Sequence, residues 1–119
     1  MKRGLFIAIL IFSNIIVKAQ SGYQIKGMVK GLSDTTCMLA YYFGDKQYAK
    51  DTAEIDANGS FVFEGSNPLK GGIYLIVFPE GKYAEIIISE QRFSFTTDIS
   101  NLVGSMNFKN SKENDVFYG

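Results

Sequence analysis

From Gly22 onward the chain alternates. Tyr23, Ile25, Gly27 and Val29 fall on one side of an extended backbone and Gln24, Lys26, Met28 and Lys30 on the other, because successive side chains of a strand point to opposite faces. Further β-rich runs, parted by turn residues, lie near 36–43, 47–55, 60–65, 72–79, 82–89, 91–97 and 102–109. About eight short strands at this spacing predict an all-β domain, a small antiparallel β-sandwich.

Local chemistry refines the pattern. Asp56-Ala57-Asn58-Gly59 stands between Ala53-Glu54-Ile55 and the alternating Phe61-Val62-Phe63-Glu64, and Asn-Gly tolerates the positive φ of a tight turn, so a hairpin is expected here. Residues 73–78 are apolar at all six positions, which predicts a central strand covered on both faces. Ala84, Ile86 and Ile88, then Phe93 and Phe95, resume the alternation, and these runs are expected to pair as a meander. Near the end, Asn110 precedes Glu113 by three residues, an N-cap arrangement leading through Val116-Phe117-Tyr118 into the start of a C-terminal helix. One or two turns are marginal in isolation. Residues 110–119 therefore read as a truncated helical linker that leads, here or in relatives, into another domain.

The first residues have a different character. Met1-Lys2-Arg3 is basic, residues 5–17 are apolar, and Val17-Lys18-Ala19 places small residues around a cleavage site, which predicts a signal peptide over 1–19. The apolar run is interrupted by Ser13 and Asn14 and falls short of the roughly 20 residues a bilayer span requires. No permanent membrane span is expected after cleavage. Gln20 follows in place of the Cys a lipid anchor needs, so the product is expected in the periplasm or outside the cell. Of 119 residues, the signal leaves 100, one β-sandwich domain over 20–109 with the helical segment behind it.

Charge and missing residue types narrow the chemistry. The whole chain balances 12 basic against 12 acidic residues, and loss of Lys2, Arg3 and Lys18 leaves 9 against 12. Nucleic acid is therefore excluded as an expected partner, since no clustered basic face exists to displace counterions. There is no His and one Cys, Cys37. Ser-His-Asp and Cys-His nucleophiles and the usual zinc cages are ruled out, and Cys37, within an apolar run, reads as a small buried hydrophobe.

Glu54, Asp56 and Asn58 with Gly59 resemble part of a calcium loop, but position 12 of that register is Gly65, where a bidentate Glu belongs. A turn explains the segment better, and it also explains the glycosylation pattern Asn58-Gly59-Ser60. Asp45, Asp51, Glu54, Glu85 and Glu90 supply carboxylates that an acid-base pair would need, yet strand faces and turns account for them. No catalytic, cofactor-binding or metal-binding residue is assigned. Tyr48 and Tyr83 flank turns and are the candidate ligand-binding residues, because aromatic faces pack against sugar rings.

A resemblance adds context. Ile25-Lys26-Gly27, Leu39-Ala40-Tyr41-Tyr42, Lys50-Asp51-Thr52-Ala53, the stretch from Asp56 through Phe61-Val62-Phe63-Glu64-Gly65, Gly72-Ile73-Tyr74 and Asn110-Ser111-Lys112-Glu113-Asn114 follow one another in a recognisable order. In these the chain resembles the N-terminal β domain of unknown function that precedes a thioredoxin-like, AhpC/TSA-type domain in exported bacterial thiol-disulfide oxidoreductases. The resemblance implies a β-sandwich appended to a redox enzyme whose Cys pair lies in the later domain. This chain stops before such a region and has no Cys-x-x-Cys, so neither the redox activity nor any functional residue carries over. The expectation is a non-catalytic accessory domain whose partner is a thioredoxin-like domain or another envelope protein. The alternative is a stand-alone periplasmic or surface module for glycan or peptide, and an enzyme working through carboxylates comes third.

Overall fold

The computed structural model describes residues 22–119; the signal-peptide reading lies outside the described residues. Eight strands form, β1 Tyr23–Lys30, β2 Thr35–Phe43, β3 Lys46–Ile55, β4 Ser60–Gly65, β5 Gly72–Val77, β6 Tyr83–Ile88, β7 Arg92–Asp98 and β8 Asn107–Lys109, followed by helix α1 Lys112–Tyr118. They make two four-stranded sheets, ordered β4-β1-β7-β8 and β3-β2-β5-β6. The all-β sandwich expected from the alternation is the fold observed.

Period-two patterning builds the interior. Ile25, Phe63, Phe93 and Phe95 from the first sheet meet Leu39, Ile55, Ile76 and Ile86 from the second in one buried cluster. Removing each such side chain from water contributes about 1.5–3 kcal/mol. Phe61 is the junction, its ring 5.5 Å from Phe63, 5.9 Å from Phe95 and 6.1 Å from Phe78, all edge-on. Gly27 makes the space for it: a Cβ there would lie 2.3 Å from the Phe61 ring.

Strand partners depart from the expected pattern in three places. First, β1 pairs antiparallel with β4 but parallel with β7, with Ile25 opposite Phe93 and Gly27 opposite Phe95. Second, β5 and β6 pair antiparallel, but β7 leaves for the other sheet, so no three-stranded meander forms. Alternation determines which face a residue takes, and both sheets share one core, so it does not say which sheet receives a strand.

Third, the Asp56–Gly59 turn forms without a hairpin ladder behind it. Asp56 Oδ1 accepts from the N–H of Asn58 at 2.8 Å and of Ser60 at 2.9 Å, and Gly59 takes φ +84°. The flanking strands then diverge, β3 pairing with β2 and β4 with β1. The turn is stitched to the first sheet, since Val29 N–H donates to the Gly59 carbonyl at 2.9 Å. It is a corner that passes the chain from one layer to the other.

The predicted eighth strand is mostly irregular. Asp98 Oδ1 accepts from Ser100 N–H and Oγ, which lowers its pKa through those bonds and starts a tight turn, so that only Asn107–Lys109 pairs with β7. At α1 the N-cap is Ser111 in place of Asn110. Asn110 instead takes φ +65°, a conformation Asn tolerates better than most residues. Among the described residues no helix is long and apolar enough to cross a membrane.

Candidate functional site

The face of β5 that turns away from the core is open at one end and covered in its middle. Tyr74, Ile76 and Phe78 join the interior, while Ile73, Leu75 and Val77 take the other side of the sheet. The strand is central, between β2 and β6. On that outer side Leu75 is buried, Val77 half-buried and Ile73 57% exposed, so cover on both faces holds for the middle of the strand and fails at its Ile73 end. Neighbouring side chains on a sheet can shelter the middle of a strand's outer face, but they leave its end to solvent. Across the sheet, Val77 pairs with Met38 and Tyr83, and Ile73 with Ile87. The result is an apolar outer patch with Tyr83, 56% exposed, at its edge.

A groove opens at one end of the same sheet. The β2–β5 ladder stops at Tyr41–Tyr74, while β2 continues to Phe43 alongside β3. The departing hairpin and the loop over 68–72 then wall a cleft of about 560 Å³ lined by Tyr41, Tyr42, Phe43, Lys50, Lys70 and Tyr74, among others. Lys50 reaches it through a β-bulge: Leu39 opposes Asp51 and Ala40 opposes Ala49, so Lys50 is the extra residue. Bulges re-aim side chains in this way.

The opposite wall is held by side chains. Gln91 accepts from Leu69 N–H at 2.7 Å and donates to the Leu69 carbonyl at 3.0 Å. Tyr74 OH donates to the Lys70 carbonyl at 2.7 Å. The loop that carries Lys70 is therefore positioned before any ligand arrives.

The structure does not bring the two candidate tyrosines together. Tyr48, 41% exposed, lies on edge strand β3 with its ring stacked on Tyr41 at 5.7 Å and 27°. Tyr83 lies on β6 at the opposite edge of the sheet. Tyr41 is itself 6.0 Å from Tyr74, so Tyr48 belongs to a tyrosine row leading to the groove and Tyr83 to the outer patch. Sequence reasoning missed Lys50, Lys70 and Tyr74, and the bulge that aims Lys50 depends on a partner strand's register.

The five candidate carboxylates are dispersed, and Glu54 lines a shallow pocket with Asp56 and Glu64. Asp51 accepts from Tyr23 OH at 2.8 Å, Asp45 is in the β2–β3 turn, Glu54 and Glu85 are exposed on strands at opposite edges of the sheet, and Glu90 lies in the turn before β7. Asp56 uses Oδ1 to close its turn, as the turn reading of that segment requires. Cys37 is buried in the core, and burial pushes its thiol up to about 12.

Helix α1 closes the free edge of β6. Asn114 Oδ1 accepts from Ile87 N–H at 2.7 Å and its Nδ2 donates to the Ile87 carbonyl at 2.8 Å, so one carboxamide satisfies both backbone groups as a neighbouring strand would. Ser111 Oγ accepts the other Asn114 proton at 2.7 Å. Tyr118 OH donates to the Glu85 carbonyl. Residues 23–117 match the family described as a domain of unknown function, DUF4369. The chain belongs to the DUF4369 family. No curated protein and no solved structure matches it. In this DUF4369 domain the matched segment runs from the first residue of β1 into the last turn of α1, so the helix that caps β6 lies within the family's boundaries.

Proposed function

We propose that this DUF4369 domain is an exported, non-catalytic accessory domain that docks a thioredoxin-like thiol-disulfide oxidoreductase on the outer face of the β3-β2-β5-β6 sheet. The observation that carries this reading is an apolar outer patch in which Ile73 and Tyr83 are exposed and Met38, Val77 and Ile87 half-buried around the buried Leu75. Contiguous apolar surface rimmed by polar residues marks interaction sites, and an exposed Tyr is a frequent anchor of binding energy. The motif order shared with domains that precede thioredoxin-like regions supports the choice of partner. The one thiol is buried with its pKa raised, which suits a domain that leaves redox chemistry to its partner.

Calorimetric titration of the purified chain with a thioredoxin-like oxidoreductase from the same envelope tests the reading. Saturable binding is expected, weakened about tenfold or more by Val77→Asp and by Tyr83→Ala. Absence of binding, or binding that neither variant weakens, overturns it. N-terminal sequencing of the secreted product tests export separately, with Gln20 as the expected first residue.

A further inference from the structure

We propose that the groove between the β2–β3 hairpin and the 68–72 loop binds a carboxylate-bearing saccharide. In this arrangement the carboxylate sits between Lys50 and Lys70 and a sugar face lies against the rings of Tyr42 and Phe43. Four observations converge on this chemistry.

Charge is the first. Lys50 and Lys70 line the groove, no Asp or Glu does, and neither lysine is committed to an ion pair. Two uncompensated ammonium groups at one cleft call for an anion.

Shape and surface are the second. Tyr41, Tyr42, Phe43 and Tyr74 line one cleft, and the tyrosines combine apolar ring faces with hydroxyl rims. A pyranose has the same division, with C–H groups on its faces and hydroxyls around its edge. At Gly72 a Cβ would meet nothing within 4 Å, so this wall stands clear of its surroundings. A cleft of about 560 Å³ falls in the small-ligand range of roughly 300–1,000 Å³.

Preorganisation is the third. Gln91 and Tyr74 hold the backbone on either side of the Leu69–Lys70 peptide, and the bulge holds Lys50 out of the ladder. Fixing the backbone beneath both lysines beforehand lowers the entropy lost on binding.

The fourth observation separates a saccharide from an acidic peptide. A peptide recognised by strand addition needs a run of free backbone groups. Here Tyr42 and Phe43 of β2 and Gly72 and Ile73 of β5 extend beyond the shared ladder, two residues on each wall, and each is paired on its other side, with Gln47, Lys46, Ile88 and Ile87. A two-residue opening offers too few ladder bonds.

Titration of the full chain with a uronic-acid trisaccharide, its methyl-esterified form, a neutral glucose trisaccharide and a tetraglutamate peptide, followed by NMR, tests the proposal. The uronate is expected to bind and to shift resonances of residues 41–43 and 70–74. Esterification should remove binding. Lys50→Ala and Lys70→Ala should each weaken it about fivefold or more and flatten its salt dependence, while Tyr42→Ala weakens it and leaves the salt dependence in place. Unchanged melting temperatures of these surface variants establish that the fold is intact. Absence of uronate binding, equal binding of the ester or of the peptide, or indifference to both lysine variants overturns the proposal. Val77→Asp and Tyr83→Ala, which lie away from the groove, should not affect it, so failure here is distinguishable from failure of the docking reading.

Discussion

Cys37 sits on the inner face of β2, opposite Ala53. Burial lifts its pKa from 9.0 to about 12, so a thiol reagent at pH 8 is expected to leave the native chain unmodified and to label it fully once urea has unfolded it. Rapid labelling of the folded chain would contradict that burial. Tyr23 moves the same way, from 10.0 to about 12, because burial disfavours the phenolate and because its OH donates to Asp51. In both groups the folded chain holds a proton that the unfolded chain releases earlier. Their stabilisation is therefore intact below about pH 9 and is lost as pH rises through about 12. Urea midpoints at pH 8, 10 and 11 should fall steadily. Cys37→Ala should delay the onset, and Tyr23→Phe should soften the slope while costing about 1 kcal/mol at pH 8 for the lost hydrogen bond. The burial of Cys37 was legible in its apolar run. The reach of Lys50 into the groove was not, since it depends on one unopposed residue in a ladder that alternation does not count.

Between residue and fold, the corner at Gly59 and the plug at Asn114 hold elements together. Gly59 takes φ +84°, and a Cβ there would lie 2.4 Å from the Val29 carbonyl oxygen. Gly59→Ala should lower unfolding free energy by about 2 kcal/mol or more, combining backbone strain with overpacking, as chemical denaturation would measure. Asn114 is fully buried, and Asn114→Ala would leave the Ile87 N–H and carbonyl without their partner, at about 2 kcal/mol. Hydrogen exchange at Ile87 should accelerate in that variant while exchange at Ile25, deep in the other sheet, changes far less. Strand positions were readable because alternation and turn residues are local properties. Asn114 gave no such signal, since a polar residue on a short helix looks solvent-bound until the strand edge beneath it is known.

At the scale of the molecule, two sheets share one interior but treat their outer faces differently. Lys26, Met28 and Lys30 give the outer side of β1 a largely polar character, whereas that of β5 is apolar, a contrast already present in the six-residue run at 73–78. The run was read as covered on both faces, which holds at Leu75 and fails at Ile73, because the length of the run does not say where cover ends. Cutting the chain after Asn110 removes α1 and bares the β6 edge next to that patch. Exposed edges template association, so light scattering should find the shortened chain self-associated at concentrations where the full chain is not. The parallel pairing of β1 with β7 has a consequence in time. The first of the described strands, β1, lies between partners that begin at Ser60 and Arg92, so it waits for synthesis of both before its second flank is filled. Long-range pairing of this kind is slow. A product halted before Arg92 would be an open-sided intermediate exposed to proteases, with no shorter version of the domain to fall back on.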